Sequence, residues 1–201
     1  MSSPLRIGII IGSTRPGRVG DQVARWVEEH ANRLGEAEYE VVDLAEVGLP
    51  LLDEGIPASA GRYEHEHTRA WAERIAQYDG FVFVTPEYNH SPSPSLLNAL
   101  SFIYREWNDK AAAIVSYGAL SSGIRAADKL RSTLGELQIA DIRTQLAFSF
   151  FHDFENFSVF TPGEQHLTSL ATLTQQLESW AAALQGVRAA KLEAAAAACA
   201  A

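Results

Sequence analysis

The sequence predicts a doubly wound parallel α/β sheet, and three observations lead there. Five short apolar runs recur along the chain, too continuous for half-exposed strands and too short for helices. Segments with apolar residues at helical spacing separate them, so strands and helices alternate. Loops rich in glycine, serine and proline follow the first, third and fourth strands, and right-handed crossovers set such loops along one edge of a sheet. The 201 residues, 47% hydrophobic and 20% charged, suit one domain with a sizeable core, placed here at residues 1–188.

The first strand, Leu5 to Ile11, ends at Gly12, and helical spacing begins at once with Val19, Val23, Ala24 and Val27. Between them Ser13, Thr14, Arg15, Pro16, Gly17 and Arg18 offer hydroxyls, backbone N–H groups and two guanidinium groups at a helix N-terminus, an arrangement that suits an anion. The triphosphate loop GxxxxGK[ST] fits Gly12 and Gly17, but Arg18 and Val19 replace its lysine and its magnesium-binding hydroxyl. The dinucleotide fingerprint GxGxxG would need a glycine at Thr14. A monophosphate cradle survives both tests, and the planar fork of Arg15 is able to meet two phosphate oxygens. Taken alone, the same residues also fit an ordinary turn.

The first helix should end near Leu34-Gly35, followed by a second strand at Tyr39–Leu44, where Asp43 reads as a solvated strand end. Ala45 to Arg62 is a long connection whose Leu49-Pro50-Leu51-Leu52 covers a core edge or a subunit contact. A helix from His65 to Tyr78 turns Trp71, Ile75 and Tyr78 inward; His65 and His67, two apart, do not share a helix face as a metal pair would. Phe81–Thr85 is the third strand. After it comes PEYNHSPSPSLLNAL, in which three prolines stiffen the loop and a helix starts near Ser95, with Leu96, Leu97, Leu100 and Ile103 apolar. Glu87, Tyr88, Asn89 and His90 are thereby held at the carboxyl end of a central strand, where ligands sit in open parallel sheets.

Ala111–Tyr117 is the fourth strand; its Gly/Ser loop leads into a helix with Ile124, Ala127, Leu130, Leu134 and Leu137 inward. Ile142–Phe150 is the fifth, and Leu167–Leu184 a last helix with Leu170, Leu173, Leu177, Trp180 and Leu184 inward. The connector between them crowds Phe151, Phe154, Phe157 and Phe160 into ten residues, more aromatic surface than a loop leaves in water, and so a dimer contact or a pocket edge. From Ala189 the chain is alanine-rich, read as a loose helix, a disordered segment or an appended tail without a function.

The net charge of −9 argues against nucleic acid and anionic membrane as partners, which makes the first loop a local positive site on an acidic body. The single cysteine, Cys199, excludes an internal disulfide and a cysteine-rich metal site. No apolar run approaches a membrane span and Met1–Arg6 is too short and polar for a signal peptide, so the expected place is the cytoplasm. One phosphate loop and two rigid loops suit a flat mononucleotide beside strands one and three, the site offered by the flavodoxin-like strand order 2-1-3-4-5 with helices on both faces.

The motifs GSTRPGRVG, PEYNHSPSPSLLNAL and WNDKAAAIVSYGALSSG, with RAADKLRSTLGEL after them, resemble the NAD(P)H-dependent FMN reductases over Arg6 to Leu137. The resemblance implies an enzyme that passes a hydride from NADPH or NADH to bound FMN and on to a small-molecule acceptor: free flavin for a monooxygenase partner, a quinone, an azo or nitro compound, or a metal ion. It implies that Ser13, Arg15 and Arg18 bind the FMN phosphate; that Pro86, Glu87, Tyr88 and Asn89 line the isoalloxazine; that Ser116 and Gly118 close its other side; and that the chain forms a homodimer or dimer of dimers. No acid or base residue is required for the hydride step, so none is assigned. Two stretches depart from the family's pattern. Leu97-Asn98-Ala99-Leu100-Ser101 stands where Lys-Asn-Ala-Leu-Asp is frequent, and Ser122-Gly123 where two glycines are common. Both changes, and the long phenylalanine connector, fall on the substrate side of the site.

Overall fold

The computed structural model describes the backbone of residues 4–200 and the side chains of residues 4–198; Met1–Ser3, Ala201 and the Cys199 side chain lie outside the described residues. Five parallel strands, β1 (Arg6–Ile11), β2 (Glu38–Asp43), β3 (Gly80–Pro86), β4 (Lys110–Gly118) and β5 (Ile139–Ser149), form one sheet in the order β2-β1-β3-β4-β5. The six helices are α1 (Gly20–Leu34), α2 (Leu44–Val47), α3 (Glu66–Ala76), α4 (Pro94–Ser101), α5 (Ile124–Glu136) and α6 (Gln165–Ala200). Because side chains alternate along a strand, Ile7, Ile9 and Ile11 of β1 face α1 and α6, and Ile10 faces α3, α4 and α5. Both layers are dry: Val23, Val27, Leu173 and Leu177 fill one, and Trp71, Ile75, Phe81, Phe83 and Leu130 the other. Each such fully buried side chain contributes about 1.5–3 kcal/mol, enough to fix the strand edges from which the loops emerge.

Several elements differ from the sequence reading. β5 starts three residues early, at Ile139, because a register irregularity opposite Ala112–Ile114 lets its polar first half pair with β4. On α6 the buried stripe steps from Leu177 to Ala181, so Trp180 is turned half outward. Ile124 opens α5 with its side chain exposed, since the first turn overhangs the sheet edge. Residues 189–200 continue α6 as regular helix. The phenylalanine connector folds into a small antiparallel hairpin, β6 (Phe154–Glu155) and β7 (Val159–Phe160). No helix among the described residues is long and apolar enough to cross a membrane.

Order reverses between β1 and β3, so the chain leaves these two neighbours in opposite directions and a crevice opens at their carboxyl ends. The loops after β1, β3 and β4 converge there.

Candidate functional site

The loop after β1 is held from below. Gly12 N–H donates to Val84 O at 2.8 Å, and the Ser93 hydroxyl at the start of α4 donates to Gly12 O at 2.7 Å. Arg15-Pro16-Gly17-Arg18 then closes a turn, Arg18 N–H to Arg15 O at 3.1 Å, with Pro16 second and Gly17 at φ +71°, a conformation glycine supplies at no steric cost. The turn delivers the chain to α1, whose first residues have no side-chain cap. Among the described residues, no protein acceptor takes the backbone N–H of Thr14, Gly17, Val19 or Gly20. A helix end left without partners is costly unless water or a ligand fills the place, and these donors, with the helix dipole behind them, favour an anion.

The two arginines of the loop are not equivalent. Arg18 is spent internally: its guanidinium pairs with the Asp43 carboxylate and donates to Ser13 O at 3.1 Å. Asp43 is accordingly no solvated strand end. It is nearly buried, and its second oxygen caps α2 by accepting from Ala45 N–H at 2.9 Å. Arg15 has no carboxylate partner among the described residues and lies over the Tyr88 ring, 5.9 Å from its centroid. It is the cation left for a ligand.

Tyr88 is fixed by its hydroxyl, 2.8 Å from Ser13 Oγ, and by paired backbone bonds, Tyr88 N–H to Ser91 O at 2.9 Å and Ser91 N–H to Tyr88 O at 3.0 Å. These close a two-residue turn in which Asn89 (φ +52°) and His90 (φ +60°) take the left-handed conformation that asparagine tolerates. Asn89 therefore serves the turn and is exposed, not aimed into the crevice; His90 Nε2 is 2.9 Å from Arg125 Nη1. Glu87 latches the second loop to the third: its carboxylate accepts from the Ser121 hydroxyl at 2.6 Å, from Arg125 N–H at 3.2 Å and from Arg125 Nη1 at 3.1 Å. Burial by itself would raise its pKa, but the donors and the guanidinium charge outweigh burial and hold the carboxyl below its ordinary range.

The third loop leaves β4 at Tyr117 and Gly118. Ser116 is fully buried, and its hydroxyl donates to Ser122 O at 2.9 Å; it shapes the loop and does not line the crevice. Tyr117 is buried with its hydroxyl against Gly20, where even a Cβ would lie 2.6 Å from the oxygen. Burial raises its pKa, so the phenol stays neutral.

Together these loops enclose a cavity of about 290 Å³. Of the residues expected from the sequence, Arg15, Arg18, Pro86, Glu87, Tyr88 and Gly118 line it, whereas Ser13, Asn89 and Ser116 support it from outside. Sequence reasoning did not assign Tyr117 or Phe150, which with Phe157 form its aromatic wall; Phe157 lies in the phenylalanine-rich connector expected to be a dimer contact or a pocket edge. A larger groove of about 730 Å³ lies at the opposite end of the strands, between β1 and α6. Its carboxylate, Glu178, is already engaged by Tyr39 OH at 2.9 Å and by the loop N–H groups of Glu36 at 3.1 Å and Ala37 at 3.3 Å, so the donors there are spent on a protein carboxylate. The smaller cavity carries the convergent polar groups that mark a binding site.

The chain is similar to known proteins. The NADPH-dependent FMN reductase family matches residues 5–153. An NAD(P)H-dependent FMN reductase of Schizosaccharomyces pombe is 41% identical over 150 residues, 74% of each chain. A 2-hydroxy-1,4-benzoquinone reductase of a Burkholderia species is 32% identical over 142 residues, 67% of this chain and 73% of that one. Among solved structures, the flavoenzyme NAD(P)H:(acceptor) oxidoreductase FerB of Paracoccus denitrificans superposes with a TM-score of 0.68 at 19% identity, covering 88% of this chain and 97% of its own, a likeness of fold.

Proposed function

Since the chain belongs to the NADPH-dependent FMN reductase family, an oxidoreductase family with FMN as cofactor and NAD(P)H as donor, we propose that the crevice after β1, β3 and β4 holds FMN and that the enzyme reduces a small quinone-type acceptor. The overall reaction balances as NAD(P)H, one proton and one quinone giving NAD(P)⁺ and one hydroquinone. The observation that carries the reading is the uncapped start of α1, whose N–H groups have no protein acceptor among the described residues, beside Arg15, which has no carboxylate partner among them. The name of the Burkholderia relative supports a quinone as acceptor.

When bound, FMN supplies the redox chemistry, taking a hydride from the nicotinamide and passing two electrons on. The chain's residues bind and orient. Arg15 and the N–H groups of Thr14, Gly17, Val19 and Gly20 hold the phosphate, and a charge-assisted fork is suited to two of its oxygens. Tyr88, pinned by Ser13, and Gly118 flank the space for the ring, and Glu87 ties their two loops into one wall through Ser121 and Arg125. A wall already held by internal hydrogen bonds needs little reorganisation when two flat reactants are brought face to face.

The test is the visible spectrum of the protein after FMN reconstitution and desalting, followed by anaerobic NADPH and, separately, NADH. Retained yellow flavin that bleaches is the expected result, and naphthoquinone should then restore the colour. Flavin that stays oxidised with both donors would indicate an electron carrier, and no retained flavin would reject the site.

A further inference from the structure

The hairpin between β5 and α6 places one residue at the cavity against its own backbone preference. Glu155, Asn156, Phe157 and Ser158 form a β-turn, closed by Ser158 N–H to Glu155 O at 3.1 Å, within the three-residue loop between the paired Glu155 and Val159, with Asn156 at φ +49° and Phe157 at φ +56°. Asn-Gly is the favoured pair for such a turn, because the second residue must take a left-handed conformation. Here that residue is a phenylalanine, for which positive φ is an outlier. It also leaves its ring 60% exposed, whereas Phe154 on the same hairpin is 7% exposed. Strain and exposed apolar surface together in one residue point to a ligand contact.

The hairpin is not loose. Gln22 of α1 clamps it from both sides, accepting from Phe160 N–H at 2.9 Å and donating to Ser158 O at 2.7 Å. Asp153 accepts from Ser149 N–H at 2.8 Å and lies 2.8 Å from His166 Nε2, which fixes the root of the hairpin. Phe154 and Phe160 pack at 5.0 Å between centroids beneath it. From this base Phe157 lines the same cavity as Arg15, Tyr88 and Gly118, and Phe151 meets it edge-on at 5.7 Å with its own ring 55% exposed. The family match ends at residue 153, one residue before β6, so the hairpin lies outside the matched stretch.

We propose that Phe157, backed by Phe151, is the specificity-determining wall of the acceptor subsite and selects flat, fused-ring aromatic acceptors of the naphthoquinone kind over small or non-aromatic ones. This rests on the reading of the crevice as the flavin site. Two exposed rings at the rim offer an apolar, stackable face to a bicyclic acceptor and no comparable gain to a hydrated ion.

The variants are Phe157→Gly, which suits the turn, and Phe157→Tyr, which keeps the ring. In the FMN-loaded protein, KM for 1,4-naphthoquinone and its dissociation constant from the oxidised enzyme, measured by titration calorimetry, should both rise about tenfold in F157G, the scale of one lost aromatic stacking partner. KM for ferricyanide, FMN retention and kcat should change less than about twofold, with Tm within about 3 °C of the parent, and F157Y should restore the naphthoquinone values. Unchanged naphthoquinone binding overturns the proposal. So does an equal loss for both acceptors, or a large fall in Tm with loss of FMN, which would make Phe157 structural. A change in sedimentation with unaltered KM also overturns it, because the ring would then be covered by a second copy. A parent protein that retains no flavin overturns the site reading and this proposal together; an active parent with an indifferent F157G overturns this one alone.

Discussion

The contact between Gly20 and Tyr117 ties the N-terminal end of α1 to the end of β4, and it can be broken and mended with two methyl-scale changes. In Gly20→Ala the new Cβ would lie 2.6 Å from Tyr117 Oη, where ordinary contact begins at 3.4 Å, so about 0.8 Å must be found. Tyr117 is 3% exposed and its ring stands edge-on to Phe150 at 6.0 Å, so the side chain has little room to swing. The helix start must give way instead. Overpacking of this kind costs about 1–3 kcal/mol, and about 2–4 °C in Tm per kcal/mol for a chain of this size. Because the displaced backbone carries the free N–H groups of Val19 and Gly20, FMN affinity should fall with it. Tyr117→Phe removes the clashing oxygen and leaves Cζ at 3.3 Å as the nearest ring atom. In that background Gly20→Ala should be neutral, or stabilising by up to ~1 kcal/mol through helix propensity. Urea denaturation and FMN titration of the four proteins form the cycle. A coupling of at least about 1 kcal/mol is expected, and equal costs in both backgrounds, within about 0.5 kcal/mol, would refute the reasoning.

Arg15→Ala should weaken FMN binding by about 1–3 kcal/mol through loss of a charge-assisted contact, with Tm of the apoprotein unchanged and riboflavin, which lacks the phosphate, bound as before. An unaltered FMN titration would contradict it. Arg18→Ala, by contrast, should lower apoprotein stability, because it strands the nearly buried Asp43 carboxylate. Ser122→Gly should stabilise by about 0.5–1 kcal/mol, since Ser122 sits at φ +51°, and thermal unfolding would show it as a rise of about 1–4 °C. Lys110 is buried at the C-terminal end of α3, where its ammonium donates to Ile75 O at 2.8 Å, and burial pushes its pKa down to about 7. The unfolded chain, with its pKa near 10.5, then binds the extra proton between about pH 7 and 10.5, so this group makes stability rise with pH in that window and leaves it level below. Lys110→Met should flatten the slope by up to about 1.4 kcal/mol per pH unit, and an unchanged slope in urea titrations at pH 7.5 and 9.5 would count against it.

What could be read from the sequence was what local rules decide. The five strands and the β1–loop–α1 cradle follow from short apolar runs, from Gly17 after Pro16 and from the prolines before α4, each of which constrains only its neighbours. Partner choice across the fold was not legible. Arg18 and Asp43 are 25 positions apart, and only the parallel register of β1 with β2 brings them together, turning one expected phosphate ligand into an internal ion pair. Ser116 gave no sign of its direction, because β4 is buried on both faces and alternation carries no information there. Asn89 looked like a ring contact until the left-handed turn explained why an asparagine is there.

The same division separates the two halves of the site. The side proposed for the cofactor is made of backbone donors, glycines and one arginine in sequence-local loops, which the family match spans to residue 153. The side proposed for the acceptor is made of side chains, above all Phe157, delivered by a hairpin whose position depends on Gln22 and His166, residues 135 positions before Phe157 and nine after it. Such a wall can change without disturbing the cradle beneath it. Selection of the acceptor should therefore follow the hairpin, and binding of the cofactor should follow the β1–α1 loop, so that exchanges confined to one leave the other's dissociation constant where it was.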